Sequence, residues 1–502
     1  MPENVVKDRI IKRLLQEYQN IWALIYFLNL AEWDTETYMP EGGSQIRGIA
    51  SARLYVLIQK ELTDKKFIYL VKTASDLEKL NDFEKGIVRI LKKNVDRYLK
   101  LPKEFLHAYT ALTTSSSKMW AKAKQKNDFG LFAQVLEKIF TMTRQKADYL
   151  GYKSHPYDAL LDEYEQGITT SDLDDFFEKI KSFLLVNYQE NFKKGLQSHS
   201  QIEDKTYDVK IMKRINEKVL NYFNTDYQYL RLDKSSHPFT SVMSIQDTRI
   251  TTRYPEVNFI NSLYSTIHEY GHALYTLQHN PEIELSPLFT ENSLGLHESQ
   301  SRFWENHIGK SKTFLRLIVG DLRKLNINFK KFQIDDFYRE ITTVRPSLIR
   351  TEADEVTYNL HIIIRYEVEK ALLNGSVKIS ELVELWNSKY FEYLGIKHTN
   401  MSTGILQDIH WSCGLIGYFP TYALGTVLSS IWRNQLEFSL KTPLENLIKS
   451  ISGIKKIKKW LGINIHQYGY TYPLEELVVK ITGAKFSPEH WQKYLLKKYP
   501  VL

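Results

Sequence analysis

Residues 258–279 run NFINSLYSTIHEYGHALYTLQH, and the periodicity of this stretch decides the fold class. Phe259, Leu263, Ile267, Tyr270, Leu274 and Leu277 recur three and four positions apart, the repeat of one face of an α-helix and not the alternation of a strand. The same stretch holds His268-Glu269-Tyr270-Gly271-His272. A spacing of four turns a helix through about 400°, so both imidazoles project side by side, flanking the apolar stripe. Two neutral imidazoles so placed can share one tetrahedral Zn2+, with Glu269 directed at the water on the metal. The bland alternative is a pair of surface histidines around a solvated glutamate. A third ligand separates the two readings, and Glu298 in His297-Glu298-Ser299-Gln300 is the candidate. A His2Glu set leaves the fourth position open to water, as catalytic zinc sites do, whereas closed structural sites need a fourth protein ligand.

Working outward, helical periodicity extends along most of the chain. Residues 8–31, 80–98, 104–124, 128–150, 172–195, 207–223, 297–308, 355–373, 380–394 and 425–438 read as amphipathic or buried helices. Asn374-Gly375 is a helix stop and Thr170-Ser171 a helix start. The best strand candidate is Ile245–Thr252, IQDTRITT, in which β-branched and polar residues alternate. The composition agrees with a helical protein: 22 Gly and 14 Pro in 502 residues are too few for a turn-rich β fold. With 43% hydrophobic and 25% charged residues the chain is globular, not disordered. The expected fold is all-α, two-lobed around a deep central cleft, with a small β-sheet along the cleft. No Pro/Gly/Ser-rich linker interrupts residues 1–502, so one domain is expected, with a polar hinge at 193–205, KKGLQSHSQIEDK.

Several functions are disfavoured at this level. A net charge of +8 dispersed over the chain gives no basic patch for nucleic acid. The apolar run Ile21–Ala31 has the length of a signal-peptide core, but Trp33-Asp34 follows where a cleavage site belongs, and its spacing continues a buried first helix. No run is long enough to span a membrane. The single cysteine, Cys413, cannot form an internal disulfide. It has no histidine at motif spacing, so it is expected to be a buried small residue in a reduced, cytoplasmic protein.

Beyond the metal pentapeptide, an ordered set of motifs resembles the Taq-type thermostable metallocarboxypeptidases. It comprises HPFTSVMSIQDTRITT at 237–252, HEYGH at 268–272, HESQSR at 297–302, IRTEAD at 349–354 and GILQDIHW at 404–411. Weaker echoes are Trp33-Asp34 with Met39-Pro40, YDALLDEYE at 157–165 and GYFPTYAL at 417–424. Thr248 and Thr351 fill variable slots, and no motif residue is lost. The resemblance runs from about residue 20 to the C-terminus. It implies a helical metallopeptidase, usually a homodimer, that removes single C-terminal residues from peptides with broad side-chain tolerance. Carried over by position, His268, His272 and Glu298 match the metal ligands and Glu269 the general base.

Such chemistry asks for further groups. Zinc lowers the pKa of bound water to about 7, Glu269 is placed to accept the water's proton and pass it to the leaving amine, and Co2+ or another divalent ion fits the same N2O donor set. The substrate's free C-terminal carboxylate is best read by a guanidinium fork, for which Arg350 is the candidate; the alternative is a salt bridge from Arg350 to Glu352 or Asp354. His410 is a donor to the oxyanion or substrate carbonyl, or else a core histidine beside Trp411. Asp408, two residues earlier, can orient a neighbouring histidine or a backbone group. Tyr418 and Tyr422 are further substrate donors. Asp247 and Arg249 share one face of the strand candidate and either brace a ligand histidine, the preferred reading, or belong to an edge strand that pairs with the substrate backbone. An oligopeptidase or dipeptidyl carboxypeptidase with the same metal chemistry is the nearest alternative, and a binding protein with a structural metal the more distant one.

Overall fold

The computed structural model describes residues 5–501. It is 68% helical, with one small three-stranded sheet, so the all-α expectation holds against the roughly one-third helix of an average domain. The expected helices are present with shifted ends: 8–31 becomes Arg9–Thr37, 104–124 becomes Lys103–Lys126, and 425–438 becomes Pro420–Leu440. The start read at Thr170-Ser171 is a capping box one residue earlier. There the Thr169 hydroxyl accepts from the Asp172 N–H, and Asp172 accepts in return. Ser44–Leu62, Lys65–Ser75, Lys312–Leu322, Ile334–Thr342, Ile451–Asn464, Leu474–Thr482 and Glu489–Lys498 are helices that the sequence pattern did not announce.

The chain folds into two compact units, each built from separate stretches of sequence. The first draws on the chain up to Leu99, on Ser200–Ile341 and on Ser429–Phe486. One of its apolar cores gathers Ile11, Leu14, Tyr18 and Ile21 of the first helix with Phe67, Leu70, Ile87 and Leu91, and closes with Ile283, Leu288 and Tyr470 from far along the chain. The apolar run at Ile21–Ala31 thus lies inside a helix that buries one face. The second unit draws on Lys100–His199, Thr342–Leu428 and the chain from Ser487 onward. There the Tyr358–Leu373 helix is buried almost all round, and its Tyr366 packs against Tyr157 and Phe177. None of the described helices is long and apolar enough to cross a membrane. Cys413 is only partly buried, a correction to the buried residue expected.

The sheet belongs to the first unit and consists of β1 (Leu230–Lys234), β2 (Thr240–Ser244) and β3 (Asp247–Thr252). Only β3 corresponds to the expected strand; Ile245 and Gln246 form the turn that joins it to β2. The order is β1-β3-β2, with β1 parallel and β2 antiparallel to β3. β3 is therefore the central strand, both its edges are occupied, and substrate pairing along it is excluded. The open edges are those of β1 and β2. Thr240 lies opposite Ile250 in the ladder, and β2 packs against both the first helix and the Phe259–Leu277 helix.

Candidate active site

The Phe259–Leu277 helix buries Phe259, Leu263, Ile267, Tyr270 and Leu274 as its stripe predicts, while Leu277 is half-buried. The side chains of His268 and His272 leave the helix beside that stripe. Facing them, the Ser293 hydroxyl caps Leu294–Arg302 by accepting from the Leu296 N–H. Gly271 permits the approach of the two helices: a Cβ there would come within 2.5 Å of the Gln300 carbonyl oxygen and 2.6 Å of Ser301 Cα. The second helix is anchored from behind. Trp432 Nε1 donates to Ser299 Oγ at 3.0 Å, and the His466 ring meets Gln300 Oε1 at 2.8 Å.

This packing brings Glu298 to the histidines. Its Oε2 is 3.6 Å from His268 Nε2 and 3.4 Å from His272 Nε2. A tetrahedral ion with bonds of about 2.0–2.1 Å spaces its donors about 3.3–3.4 Å apart, so the three atoms fit a divalent cation of that kind. Each ligand candidate is also held from outside. Glu305 accepts from His268 Nδ1 at 2.8 Å, which leaves Nε2 to face the site. Glu305 in turn receives Lys310 Nζ at 2.7 Å and Arg302 at 3.3 Å, and Arg302 Nε donates to Glu298 Oε1 at 2.7 Å. His272 Nδ1 lies 2.5 Å from Nδ1 of His297. Glu269 sits on the same helix, its Oε2 accepting the Thr240 hydroxyl of β2 at 2.7 Å.

Electrostatics follow from these neighbours. Burial works to raise the Glu298 carboxyl, but the charges of Arg302 and of the two histidines outweigh it and hold the group well below the usual carboxylate range. Glu305 behaves alike, with Lys310 and Arg302 outweighing burial. Burial works against a charged His268, but the neighbouring Glu298 and Glu305 prevail and shift its pKa upward. Two ionised carboxylates facing two imidazoles make a pocket of negative potential in which a divalent cation is the natural guest.

Asp247 and Arg249, expected to brace a ligand histidine, do not: the histidine braces are Glu305 and His297. Arg249 instead forms a two-pronged pair with Asp247, 2.8 Å on each prong, and stacks on Trp33 at 4.1 Å.

In the second unit the structure assembles the other group of expected residues. Arg350 is 6% exposed. It pairs neither with Glu352 nor with Asp354: its Nε and Nη2 reach Asp408 Oδ1 at 3.0 and 2.9 Å, and its Nη1 reaches the Tyr358 hydroxyl at 3.1 Å. Asp354 instead accepts from the N–H groups of Val356 and Thr357, in the turn that precedes the next helix. Asp408 holds two guanidiniums, since Arg365 Nε binds its other oxygen at 2.7 Å. Burial would raise Asp408, but Arg365 and Arg350 hold it far below the usual range. His410 Nδ1 lies 4.0 Å from Asp408, outside hydrogen-bond range, and its Nε2 meets the Tyr422 hydroxyl at 3.2 Å. Burial pushes the His410 pKa down to about 3, so its ring is neutral. Tyr418 packs on His410 and on Tyr422.

The fold, the donor triangle and its braces can now be set beside known proteins. A family model described as carboxypeptidase Taq (M32) metallopeptidase matches residues 13–499. The chain belongs to that family. This M32 metallopeptidase is accordingly a carboxypeptidase, a hydrolase of peptides. It is 39% identical to thermostable carboxypeptidase 1 of Pyrococcus furiosus over 502 residues, covering 99% of this chain and 100% of the relative. It is 34% identical to carboxypeptidase 1 of Bacillus subtilis over 472 residues, 94% of each chain. The solved structure of the Pyrococcus furiosus carboxypeptidase superposes with a TM-score of 0.95, covering 99% of this chain and 100% of that one.

The residues missed at the sequence level are the M32 chain's braces. Glu305 follows Glu298 by seven positions and so returns to the same helix face, the lone carboxylate in the FWENHIG run. The helix widens there into a π-turn, Phe303–Gly309, in which the Lys310 N–H reaches back five residues to the Glu305 carbonyl at 2.8 Å. Thr240 carried no signal beyond its place in the 237–252 motif.

Proposed function

We propose that this M32 chain is a zinc-dependent metallocarboxypeptidase that removes single residues from peptide C-termini with broad specificity. His268, His272 and Glu298 are the metal ligands, and Glu269 is the general base. The observation that carries the reading is the triangle of Nε2, Nε2 and Oε2 atoms at 3.4 and 3.6 Å, with Glu269 on the same helix. A divalent ion held there supplies a Lewis acid and a water acidified to near neutrality. Glu269 takes the water's proton and returns it to the departing amine, and the Thr240 hydroxyl keeps its carboxylate in place between the two transfers. Glu305 fixes the His268 tautomer, and Arg302 holds the second oxygen of Glu298.

Arg350 is proposed to read the substrate's terminal carboxylate, Asp408 and Tyr358 fixing the plane of its guanidinium. His410, neutral and hydrogen-bonded to Tyr422, is proposed as a donor to the substrate carbonyl, with Tyr418 and Tyr422 as further contacts. Asp247 and Arg249, paired with each other on the central strand, are proposed to meet the substrate through their side chains only. Zinc, with cobalt as a functional substitute, suits the N2O donor set. The family resemblance supports a homodimer, and the lone thiol of Cys413 suits a reducing, cytoplasmic setting.

Incubation with a peptide ladder followed by mass spectrometry tests the reading. One residue per step from free C-termini, with no cleavage of amidated ones, is expected; dipeptide loss or internal cuts would instead make the enzyme a dipeptidyl carboxypeptidase or an oligopeptidase. Glu269→Gln should bind zinc stoichiometrically and lose about 100-fold to 10,000-fold in kcat. A variant hydrolysing normally would remove Glu269 from the general-base role.

A further inference from the structure

His297 directly precedes Glu298, yet its ring is turned to the other face of the candidate ligand set. Its Nδ1 sits 2.5 Å from His272 Nδ1, with ring centroids 4.5 Å apart, and Tyr275 packs edge-on against it at 5.3 Å. Two lone pairs repel at that distance, so one proton lies between the rings. His272 presents Nε2 to Glu298, and a neutral imidazole offering its Nε2 lone pair carries its hydrogen on Nδ1. His272 is thus the donor and His297 Nδ1 the acceptor. A ring that accepts at Nδ1 is neutral. Its one hydrogen is therefore on Nε2.

That Nε2–H has no acceptor among the described residues. His297 lines a cavity of about 600 Å3 whose walls also include Asn29, Thr240, Val242 and Asn292. Thr240, one of its lining residues, donates to the Glu269 carboxylate at 2.7 Å. Val242 is fixed by Asn29, whose Nδ2 donates to its carbonyl at 2.8 Å. The donor at His297 suits the main-chain carbonyl that every peptide unit carries, whatever its side chain.

We propose that His297 is a positioning residue with two duties: its Nδ1 fixes His272 as an Nε2 ligand, and its Nε2–H donates to a main-chain carbonyl of the peptide substrate in this cavity. The inference rests on the peptide-cleaving reading above and adds a substrate contact to it. It also makes the two ligand histidines unequal. His268 is braced by an anionic carboxylate, whereas His272 is braced by a neutral ring that accepts through Nδ1.

The two duties can be separated, because an asparagine amide falls where Nδ1 of histidine lies and a glutamine amide where Nε2 lies. Zinc affinity of the full chain is measured by chelator competition, KM and kcat at saturating zinc on a blocked dipeptide, and folding by circular dichroism. His297→Asn should keep the acceptor for His272, so that its zinc Kd stays within about threefold while KM rises about tenfold, the loss of one hydrogen bond. His297→Gln should weaken zinc about 10-fold to 100-fold, as loss of a ligand brace does, with KM near the wild-type value. Equal zinc loss in both variants, or an unchanged KM in His297→Asn, overturns the proposal. A folded wild-type chain that binds no zinc or leaves the dipeptide intact overturns the preceding functional reading instead.

Discussion

Glu305 and His279 show how single buried groups control this molecule from outside the ligand set. Glu305 holds the hydrogen of His268 Nδ1 and is itself held by Lys310 and Arg302, so it fixes both the orientation of the ring and its basicity. Glu305→Gln should therefore weaken metal binding about 10-fold to 100-fold, read by chelator competition, with a smaller change in KM. His279 is the opposite case. It is buried against Tyr275 and Phe289, and neither ring nitrogen has a hydrogen-bond partner among the described residues. Burial drives its pKa down to about 3, below the ordinary 6.5 of the unfolded chain. Above pH 6.5 both states are neutral and the group has no effect. As pH falls below 6.5 the unfolded state takes up the proton first, and stability is lost down to about pH 3. The cost between pH 8 and pH 5 is about 2 kcal/mol. His279→Phe should remove that part of the acid sensitivity, so its melting temperature should fall less than the wild type's between pH 8 and pH 5.

At the scale of elements, the packing of the Phe259–Leu277 helix on the Leu294–Arg302 helix makes the site, and Gly271 sets how close they come. Gly271→Ala would drive a Cβ into the backbone at Gln300 and Ser301, so the helices must separate and the donor triangle must open. Loss of tight metal binding and a clear drop in melting temperature are expected. Gly320→Ala is the control, since a Cβ there meets nothing within 4 Å; in the Lys312–Leu322 helix it should stabilise by about 0.4–1 kcal/mol. The two helices and the donor atoms they bring together were legible because each carries them at helical spacing beside a buried stripe. Ser44–Leu62 was not, because only Ile58 and Leu62 are buried while Ile46, Ile49, Tyr55, Val56 and Leu57 are exposed; apolar residues on several faces give no period. β1 and β2 were hidden for another reason: five-residue strands have no pattern until β3 supplies their partner. The partners of Arg350 were likewise unreadable, since Asp408 is brought to it by packing and not by spacing.

At the scale of the molecule, the net charge of +8 says little about the site. There Glu269, Glu298 and Glu305 outnumber Arg302 and Lys310, and a divalent cation reverses the local sign. The site is also assembled from remote segments: Ser299 and Gln300 are pinned by Trp432 and His466, and β2 packs on the first helix. A fragment of residues 200–341 keeps the three proposed ligands and Glu269 yet loses these supports. It should be largely unfolded by circular dichroism and show no saturable zinc binding at micromolar metal. In the full chain the coupling runs the other way. An ion that binds only the folded state stabilises it by RT ln(1 + [L]/Kd), about 2.7 kcal/mol at a hundred times Kd. Removing the metal with a chelator should therefore lower the melting temperature, readdition should restore it, and the shift should grow with the logarithm of free zinc. Glu298→Ala should abolish the zinc dependence, because two imidazoles without the bridging carboxylate cannot hold the ion tightly. A zinc-dependent shift that survived in this variant would place the stabilising ion elsewhere in the molecule.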